Sequence, residues 1–263
     1  IGDLNGDEYA DVATANYVGE TVSVLFSHGD GSFSASTEHP GGNFSYGADV
    51  ALGDVNHDGF LDIAVPGRVL LNDGAGQFNE VAYIHAGLAT IVELADFNGD
   101  GHLDIVSAIN NSSNLVVSLN DGDGSFTALP GIDTGHDSDR FGGPFVADLD
   151  GNGAPDLLTV HVLEDVITII FNDGAANFEA PILLPFPEEG SSPALADFDG
   201  DGDIDIAVRL AETDTEPVRL GLLLNNGDGT FEPALAQPLE SITPLVPADI
   251  DLDGDVDLVT GGW

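Results

Sequence analysis

The sequence predicts an all-β fold built from repeated sheet units. A nine-residue acidic pattern recurs six times, and its first residues are at positions 3, 54, 96, 148, 197 and 249. The steps of 51, 42, 52, 49 and 52 residues between them match the size of one four-stranded propeller blade. Short β-branched runs separate the acidic patterns, and no segment shows sustained helical periodicity. These observations predict a β-propeller of four-stranded blades, with about six repeats visible.

Each repeat contains four predicted strands. In the third repeat the runs are Ile91–Ala95, Leu103–Ala108 and Leu115–Leu119, and a fourth run follows Phe126. Some runs, such as Val166–Phe171, are apolar on both faces, as expected where neighbouring sheets cover a strand. A single four-stranded sheet cannot cover both of its own faces, so we expect the repeats to stack around an axis.

We predict one propeller domain over residues 1–263, with repeats beginning near residues 1, 48, 90, 143, 192 and 244. The first and last repeats are incomplete, because only Ile1 and Gly2 precede the first acidic loop and the sixth repeat ends at Trp263 after its second strand. Both ends carry a full acidic loop and the strand after it, so they do not complement each other. The sequence therefore predicts a piece of a larger, seven-bladed propeller.

The composition restricts the partners. The chain has 47 acidic and 4 basic residues, a formal net charge of −43 at pH 7. Such a charge repels phosphate backbones and anionic membranes, so we expect no nucleic-acid partner. No apolar run approaches the roughly 18 residues of a membrane-spanning helix, so we expect no membrane insertion. The charge favours cations, and both salt adaptation and metal ligation would explain the carboxylates.

The acidic pattern reads Asp-x-Asp/Asn-x-Asp/Asn-Gly-x-x-Asp, numbered here as positions 1 to 9 of loops 1 to 6. Positions 1, 3, 5 and 9 present side-chain oxygens, position 7 can offer its backbone carbonyl, and glycine at position 6 permits a sharp turn. Calcium takes about six to eight oxygen ligands in flexible geometry, so we predict up to six Ca²⁺ sites. The predicted ligands are Asp3, Asn5, Asp7, Tyr9 and Asp11 in loop 1; Asp54, Asn56, Asp58, Phe60 and Asp62 in loop 2; Asp96, Asn98, Asp100, His102 and Asp104 in loop 3; Asp148, Asp150, Asn152, Ala154 and Asp156 in loop 4; Asp197, Asp199, Asp201, Asp203 and Asp205 in loop 5; and Asp249, Asp251, Asp253, Asp255 and Asp257 in loop 6.

Turn preference alone does not explain these loops. Their Asp residues alone are 22 of the 47 acidic residues, and close carboxylates repel strongly unless a cation lies between them. The preference of Asp and Asn for turns could account for one loop, but hardly for six with fixed spacing. Magnesium fits less well, because it demands octahedral geometry, and an EF-hand closes with Glu at position 12 between helices.

The six predicted sites are not equal. Glu8 replaces the position-6 glycine of loop 1, where we expect Gly6 to supply the flexibility, so this site is the least secure. Asn152 replaces a charged position-5 ligand in loop 4 and should weaken its affinity. Loops 5 and 6 carry five Asp residues each, so we predict that they bind calcium most tightly.

A second pattern, an Asn-Asp-Gly cluster or close variant followed by Phe, comes after each of the first five loops. Asn and Gly tolerate positive φ, so we predict hairpin turns. Additional cation sites are the alternative, since Asp73 and Asp121 are present, although no carboxylate returns at a fixed later position. The turns span residues 26–33, 71–78, 119–126, 171–178 and 224–231.

The acidic loop, the period near 50 residues and the glycine turn ending in Phe resemble the FG-GAP/VCBS repeats. Such repeats occur in integrin α-subunit propellers, in fungal propeller lectins and in bacterial surface proteins. The resemblance covers essentially the whole chain. It implies a calcium-stabilised propeller located outside the cell or on its surface, without selecting one function.

The sequence favours a non-enzymatic function. It contains no Gly-x-Ser-x-Gly elbow, no His-Glu-x-x-His and no phosphate loop ending in Gly-Lys. We expect an adhesion or structural interaction module that binds a protein or glycan and assembles with further chain or neighbouring subunits. A lectin-type propeller is the alternative, and a polysaccharide-active enzyme is less favoured. Asn43, Asn110 and Asn111 begin glycosylation sequons.

Overall fold

The computed structural model describes residues 1–42, 49–83, 89–109, 114–135, 141–161, 166–185, 190–210, 217–238 and 245–260. Their regular secondary structure is β-strand throughout, which confirms the predicted all-β class. Among these residues, no helix has the length and apolarity needed to span a membrane. The chain divides into two compact units, Ile1–Asp133 and Thr134–Trp263. The number of blades and the assignment of a single domain stay predictions.

Three antiparallel sheets form the first unit, and successive strands along the chain are neighbours in each sheet. The third sheet has an additional short strand, β12, which also pairs with β10. The strands are β1 (Val12–Asn16), β2 (Thr21–Leu25) and β3 (Thr37–Pro40) in sheet 1; β4 (Ala51–Gly53), β5 (Asp62–Val65), β6 (Arg68–Asn72) and β7 (Phe78–Tyr83) in sheet 2; and β8 (Ala89–Ala95), β9 (Asp104–Ile109), β10 (Asn114–Asn120), β11 (Phe126–Ala128) and β12 (Ile132–Asp133) in sheet 3.

The second unit repeats this arrangement with two four-stranded sheets and one two-stranded sheet, all antiparallel. The strands are β13 (Phe141–Ala147), β14 (Asp156–His161), β15 (Val166–Ile170) and β16 (Ile182–Pro185) in sheet 4; β17 (Gly190–Ala196), β18 (Asp205–Leu210), β19 (Arg219–Asn225) and β20 (Phe231–Pro238) in sheet 5; and β21 (Leu245–Ala248) and β22 (Asp257–Thr260) in sheet 6.

Each apolar core cluster draws residues from two successive sheets. In the first unit, Val22 and Val24 of sheet 1 pack with Ile63, Val65 and Leu70 of sheet 2. A second cluster joins sheets 2 and 3. The central strands are therefore covered on both faces, as the continuous apolar runs predicted. Burial of such side chains stabilises the fold by about 1.5–3 kcal/mol each.

The second unit is built the same way. Leu158 and Ile167 of sheet 4 pack with Ile206 and Val208 of sheet 5, and Leu245 of sheet 6 packs with Ala194 and Ala207 of sheet 5. All six residues of β14 are buried. Because successive sheets pack in the same way, the loop between the first and second strand has similar neighbours in each repeat.

Candidate metal-binding loops

The six acidic loops occupy equivalent places in the fold. Loops 2 to 6 each connect the first two strands of a sheet, for example β4 to β5, and position 9 is the first residue of the second strand. Loop 1 precedes β1, and Gly2 and Asp11 pair across its ends. The sequence therefore placed the loops correctly between strands.

The position-1 carboxylate organises each loop by accepting backbone N–H groups. In all six loops it accepts the N–H of position 6, and in loops 1 to 5 it also accepts further N–H groups of the same loop. The donor–acceptor distances of all these bonds lie between 2.7 and 3.2 Å. In loop 1, the N–H of Glu8, followed by those of Gly6, Asn5 and Asp7, lowers the pKa of Asp3. The loop thus folds around a carboxylate that is held in its charged form.

Two positions in every loop have a left-handed backbone. Position 4 and position 6 both have positive φ, and glycine provides most of them. Glu8 takes φ 70° at position 6 although Gly6 at position 4 is also left-handed, with φ 77°. The expectation that Gly6 would substitute for the missing glycine is therefore wrong, because the turn needs both residues. His57 and Leu252 fill position 4 with φ of 57° and 64°.

The position-9 carboxylate is buried between strands in loops 1 to 5. Asp104, for example, is 0% exposed and accepts the N–H of Phe97 at 2.9 Å and that of Asn120 at 2.8 Å. The same pair of bonds, to position 2 and to the second residue of the glycine turn, forms at Asp11, Asp62, Asp156 and Asp205. Position 9 therefore joins the acidic loop to the glycine turn of its own repeat.

Burial works against the charge on this carboxylate. Desolvation raises the pKa of Asp62, Asp104 and Asp156 to about 6, although their backbone N–H donors oppose it. Repulsion from the carboxylates at positions 5 and 1 raises the pKa further in loops 2 and 3. In loop 4 the carboxylates at positions 3 and 1 have the same effect. A buried carboxylate in a negative field is a favourable ligand for a cation, because the cation removes both penalties.

Three loops bring enough carboxylates together to hold a metal ion. Positions 1, 3 and 9 of loops 4, 5 and 6 place one ligand oxygen each within 4.8 Å of one another. These triads are Asp148, Asp150 and Asp156; Asp197, Asp199 and Asp205; and Asp249, Asp251 and Asp257. Hard oxygens at this spacing fit calcium, so the residues present suit the predicted ion. Loops 1 to 3 have Asn at position 3, which offers an amide oxygen in place of a third carboxylate.

Positions 3 and 5 distinguish the loops further. In loops 1 to 3 the Asn amide at position 3 donates to the Asp carboxylate at position 5, at 2.9–3.1 Å. In loop 4 the roles are reversed, and Asn152 donates to Asp150 at 3.1 Å. Loop 5 has carboxylates at both positions, and partial desolvation together with Asp201 raises the pKa of Asp199. Loop 5 therefore concentrates more uncompensated charge, and its tight calcium binding stays a prediction.

Position 7 packs against the glycine turn as well as facing the loop. Its N–H donates to the side chain of position 5 in all six loops. A Cβ added to Gly74 would lie 2.4 Å from the Phe60 ring, and one added to Gly227 would lie 2.4 Å from Asp203. The turn glycines are therefore required by this close approach and not only by their φ. Use of the position-7 carbonyls as ligands stays a prediction.

Comparison with known proteins agrees with this geometry. A family model described as an FG-GAP-like repeat matches residues 3–65 and 96–159. These two stretches are FG-GAP-like repeats. No curated protein sequence matches it.

Solved structures with the same arrangement include an Agrocybe aegerita lectin that recognises non-reducing terminal N-acetylglucosamine. It is 21% identical, with a TM-score of 0.65 over 95% of this chain and 73% of that chain. A chain of the Photorhabdus luminescens Tc holotoxin pore is 22% identical, with a TM-score of 0.50 over 98% of this chain and 13% of that chain. At these identities the similarity establishes the fold, and the predicted β-propeller class is confirmed.

The glycine turns contain a residue whose role the sequence did not reveal. The turns were predicted as plain hairpin connections, and each does connect two paired antiparallel strands. However, Asn120 is 2% exposed, and its Nδ2 donates to the carbonyl of Leu103 in its own loop, at 3.1 Å, and to that of Val55 in loop 2, at 2.6 Å. Asn72 and Asn225 make the equivalent pairs.

These buried asparagines therefore hold one repeat to the repeat before it. Their Oδ1 atoms accept the N–H of the turn glycine two residues later, which fixes the amide orientation. The recurrence of Asn at this place in four of the five turns was the available signal, with Ser27 in the first. The sequons at Asn43, Asn110 and Asn111 lie outside the described residues.

Proposed function

We propose that this chain is a calcium-stabilised propeller module that acts outside the cell or on its surface by binding other molecules. The observation that carries the proposal is the convergence of three Asp side chains within 4.8 Å in each of loops 4, 5 and 6. Calcium, when bound, would supply positive charge and up to eight coordination positions for these oxygens.

The residues around the loop explain why an ion there would stabilise the fold. Position 9 holds both its own loop and the N–H of the turn asparagine, and that asparagine donates to the preceding repeat. Fixing the position-9 carboxylate therefore reinforces the joint between two sheets. The rigid sheets leave the remaining loops free to carry a binding surface.

Thermal unfolding with and without calcium tests the proposal. A ligand bound only by the folded state adds about 2.7 kcal/mol per site at a hundredfold excess over Kd. We expect calcium to raise the melting temperature strongly over that in a chelator, and magnesium at the same concentration to do so much less. A melting curve that is the same in chelator and in calcium would contradict the proposal.

The location and the lack of catalysis are further parts of the proposal. Extracellular calcium modules bind with Kd of about 10⁻⁴–10⁻³ M, whereas intracellular sensors bind about a hundredfold more tightly. Titration calorimetry that finds only submicromolar sites would count against an extracellular module. The lack of the common hydrolase and phosphate-binding motifs in the sequence supports a binding role.

Glycan binding is the second candidate, because one solved structure of similar fold is a lectin that recognises non-reducing terminal N-acetylglucosamine. The chain has one Trp and four Tyr, in no repeating register, so a separate aromatic sugar platform in each repeat is not supported. A glycan array that includes N-acetylglucosamine-terminated glycans, probed in calcium and in chelator, separates the two. Calcium-dependent binding would support a lectin, and no binding would favour a structural or protein-binding role.

A further inference from the structure

Two imidazole rings meet where loop 2 approaches loop 3. His57 is position 4 of loop 2, and His102 is position 7 of loop 3. Their ring centroids are 4.6 Å apart, with an angle of 69° between the ring planes. The Nδ1 atom of His102 is buried and has no hydrogen-bond partner among the described residues. A buried nitrogen without a partner is uncommon in folded proteins, and a bound water or ion is a usual explanation.

The turn itself does not require the first of these histidines. Position 4 is glycine in loops 1, 3, 4 and 5, and it has positive φ in every loop. His57 takes φ 57° there, a left-handed conformation that is unfavourable for a residue with a Cβ. Local geometry thus favours glycine at this site, yet the sequence places an imidazole where it meets the next loop.

The second histidine is held in place on two sides. The backbone N–H of His102 donates to Asp100 Oδ1 at 2.9 Å. Its ring lies on Gly122, where an added Cβ would be 2.6 Å from Nε2. Because the backbone and one edge of the ring are fixed, the imidazole is positioned in advance. Pre-positioned nitrogen ligands lose little conformational entropy when an ion binds.

We propose that His57 and His102 form a site for a transition-metal ion of the Zn²⁺ class, separate from the oxygen-lined calcium sites. Imidazole nitrogen is a preferred ligand of Zn²⁺, Cu²⁺ and Ni²⁺, whereas calcium selects oxygen. When two imidazoles bind one ion through nitrogens about 2.0–2.1 Å from the metal, their ring centroids lie roughly 4.5–5.5 Å apart. The observed centroid distance of 4.6 Å falls in this range. Water completes the coordination, and the ion links two successive repeats.

The experiment titrates Zn²⁺ by calorimetry into the chain saturated with calcium, so that the carboxylates of the loops are occupied. We expect one zinc ion per chain. The variants His57→Gly and His102→Phe copy residues used at these positions in other loops, namely Gly6 at position 4 and Phe60 at position 7. Each should weaken zinc binding about tenfold or more, since even residues outside the ligand shell contribute that much.

The matched control is His28→Ala, which removes an exposed histidine in the first glycine turn. It should leave zinc affinity unchanged, and both His28→Ala and His57→Gly should keep the calcium response of the parent chain. Zinc affinity that is equal in the parent chain, His57→Gly and His102→Phe would overturn the proposal, as would the absence of zinc binding by the parent chain.

A second measurement decides the question if either variant fails to fold. Electron paramagnetic resonance of Cu²⁺ bound to the calcium-saturated parent chain reports the ligand atoms directly. We expect coupling to two imidazole nitrogens. A spectrum without nitrogen coupling would place the ion among carboxylates and reject the histidine site.

Discussion

Loops 3 and 5 have the same backbone arrangement but differ in how their charges are balanced. In loop 3, the amide of Asn98 donates to Asp100 at 2.9 Å. In loop 5, Asp199 replaces that amide, and desolvation followed by repulsion from the Asp201 carboxylate raises the pKa of Asp199. An Asn at position 3 thus relieves part of the repulsion between the carboxylates within the loop itself. An all-Asp loop leaves that repulsion for a cation to relieve.

The framework beneath the two loops is the same. Asp104 and Asp205 are both 0% exposed, and each accepts the N–H of position 2 and of a turn asparagine. Loop 6 has as many Asp residues as loop 5, but its position-9 residue, Asp257, is exposed. Among the described residues, Asp257 accepts the N–H of Ile250 at position 2. The number of Asp residues therefore does not determine whether position 9 is buried, because its burial depends on the surrounding sheet.

The largest effect is expected from removing this shared framework. Asp104→Ala and Asp205→Ala each leave two buried N–H groups without an acceptor, at about 1–3 kcal/mol per group. We expect each to lower the free energy of unfolding by about 3 kcal/mol in chelator, measured by urea denaturation. Asp228→Ala, in an exposed turn, is the control and should cost under about 1 kcal/mol. A loss at only one of the two loops would break the equivalence of their frameworks.

The next effect tests the joint between repeats. Asn120→Ala and Asn225→Ala each remove two donors to buried carbonyls, which should cost about 2–3 kcal/mol. Asn226→Ala changes the exposed neighbour in the same turn and should be close to neutral. Hydrogen exchange of the loop in the preceding repeat is the specific measurement. Asn120→Ala should increase exchange in loop 2, and Asn225→Ala should increase it in loop 4. Unchanged protection there would show that the asparagines only close their own turns.

Exchanging the position-3 residues tests the comparison directly. In chelator, Asp199→Asn should gain about 1 kcal/mol, because it restores the amide–carboxylate bond, and Asn98→Asp should lose a similar amount. In calcium the order should reverse, with weaker binding by Asp199→Asn and tighter binding by Asn98→Asp. Calorimetry and melting curves under both conditions measure the two signs. The same sign in chelator and in calcium would mean that charge balance does not control the loops.

The smallest effect concerns the backbone of the atypical loops. Glu8→Gly and Leu252→Gly relieve left-handed conformations and should each stabilise the chain by about 1 kcal/mol. Gly59→Ala is the reciprocal control, since its φ is 91° and no other atom would contact the added Cβ. It should lose a similar amount of stability. Stability that is unaffected by all three changes would indicate that these loops tolerate the strain without cost.

Much of the fold was predictable because the strands and turns follow from short sequence patterns. The run Leu115–Leu119 predicted the strand Asn114–Asn120, and Leu103–Ala108 predicted Asp104–Ile109. The acidic loops and the glycine turns were recognised because Asp, Asn and Gly have strong conformational preferences of their own. The role of Gly6 was not predicted correctly, because only the backbone angles show that position 4 and position 6 must both be left-handed.

The period, the order of the strands along the chain and the oxygen-rich chemistry of the six loops follow from the amino-acid sequence. The burial of the carboxylates, the asparagine bonds between neighbouring repeats and the contact of the two histidines follow from the packing of the sheets. Asn120 and Val55 are 65 residues apart in the chain, and Asn225 and Leu149 are 76 apart. Burial and hydrogen-bond partners at such separations depend on how sheets stack, and no local preference of a residue encodes that.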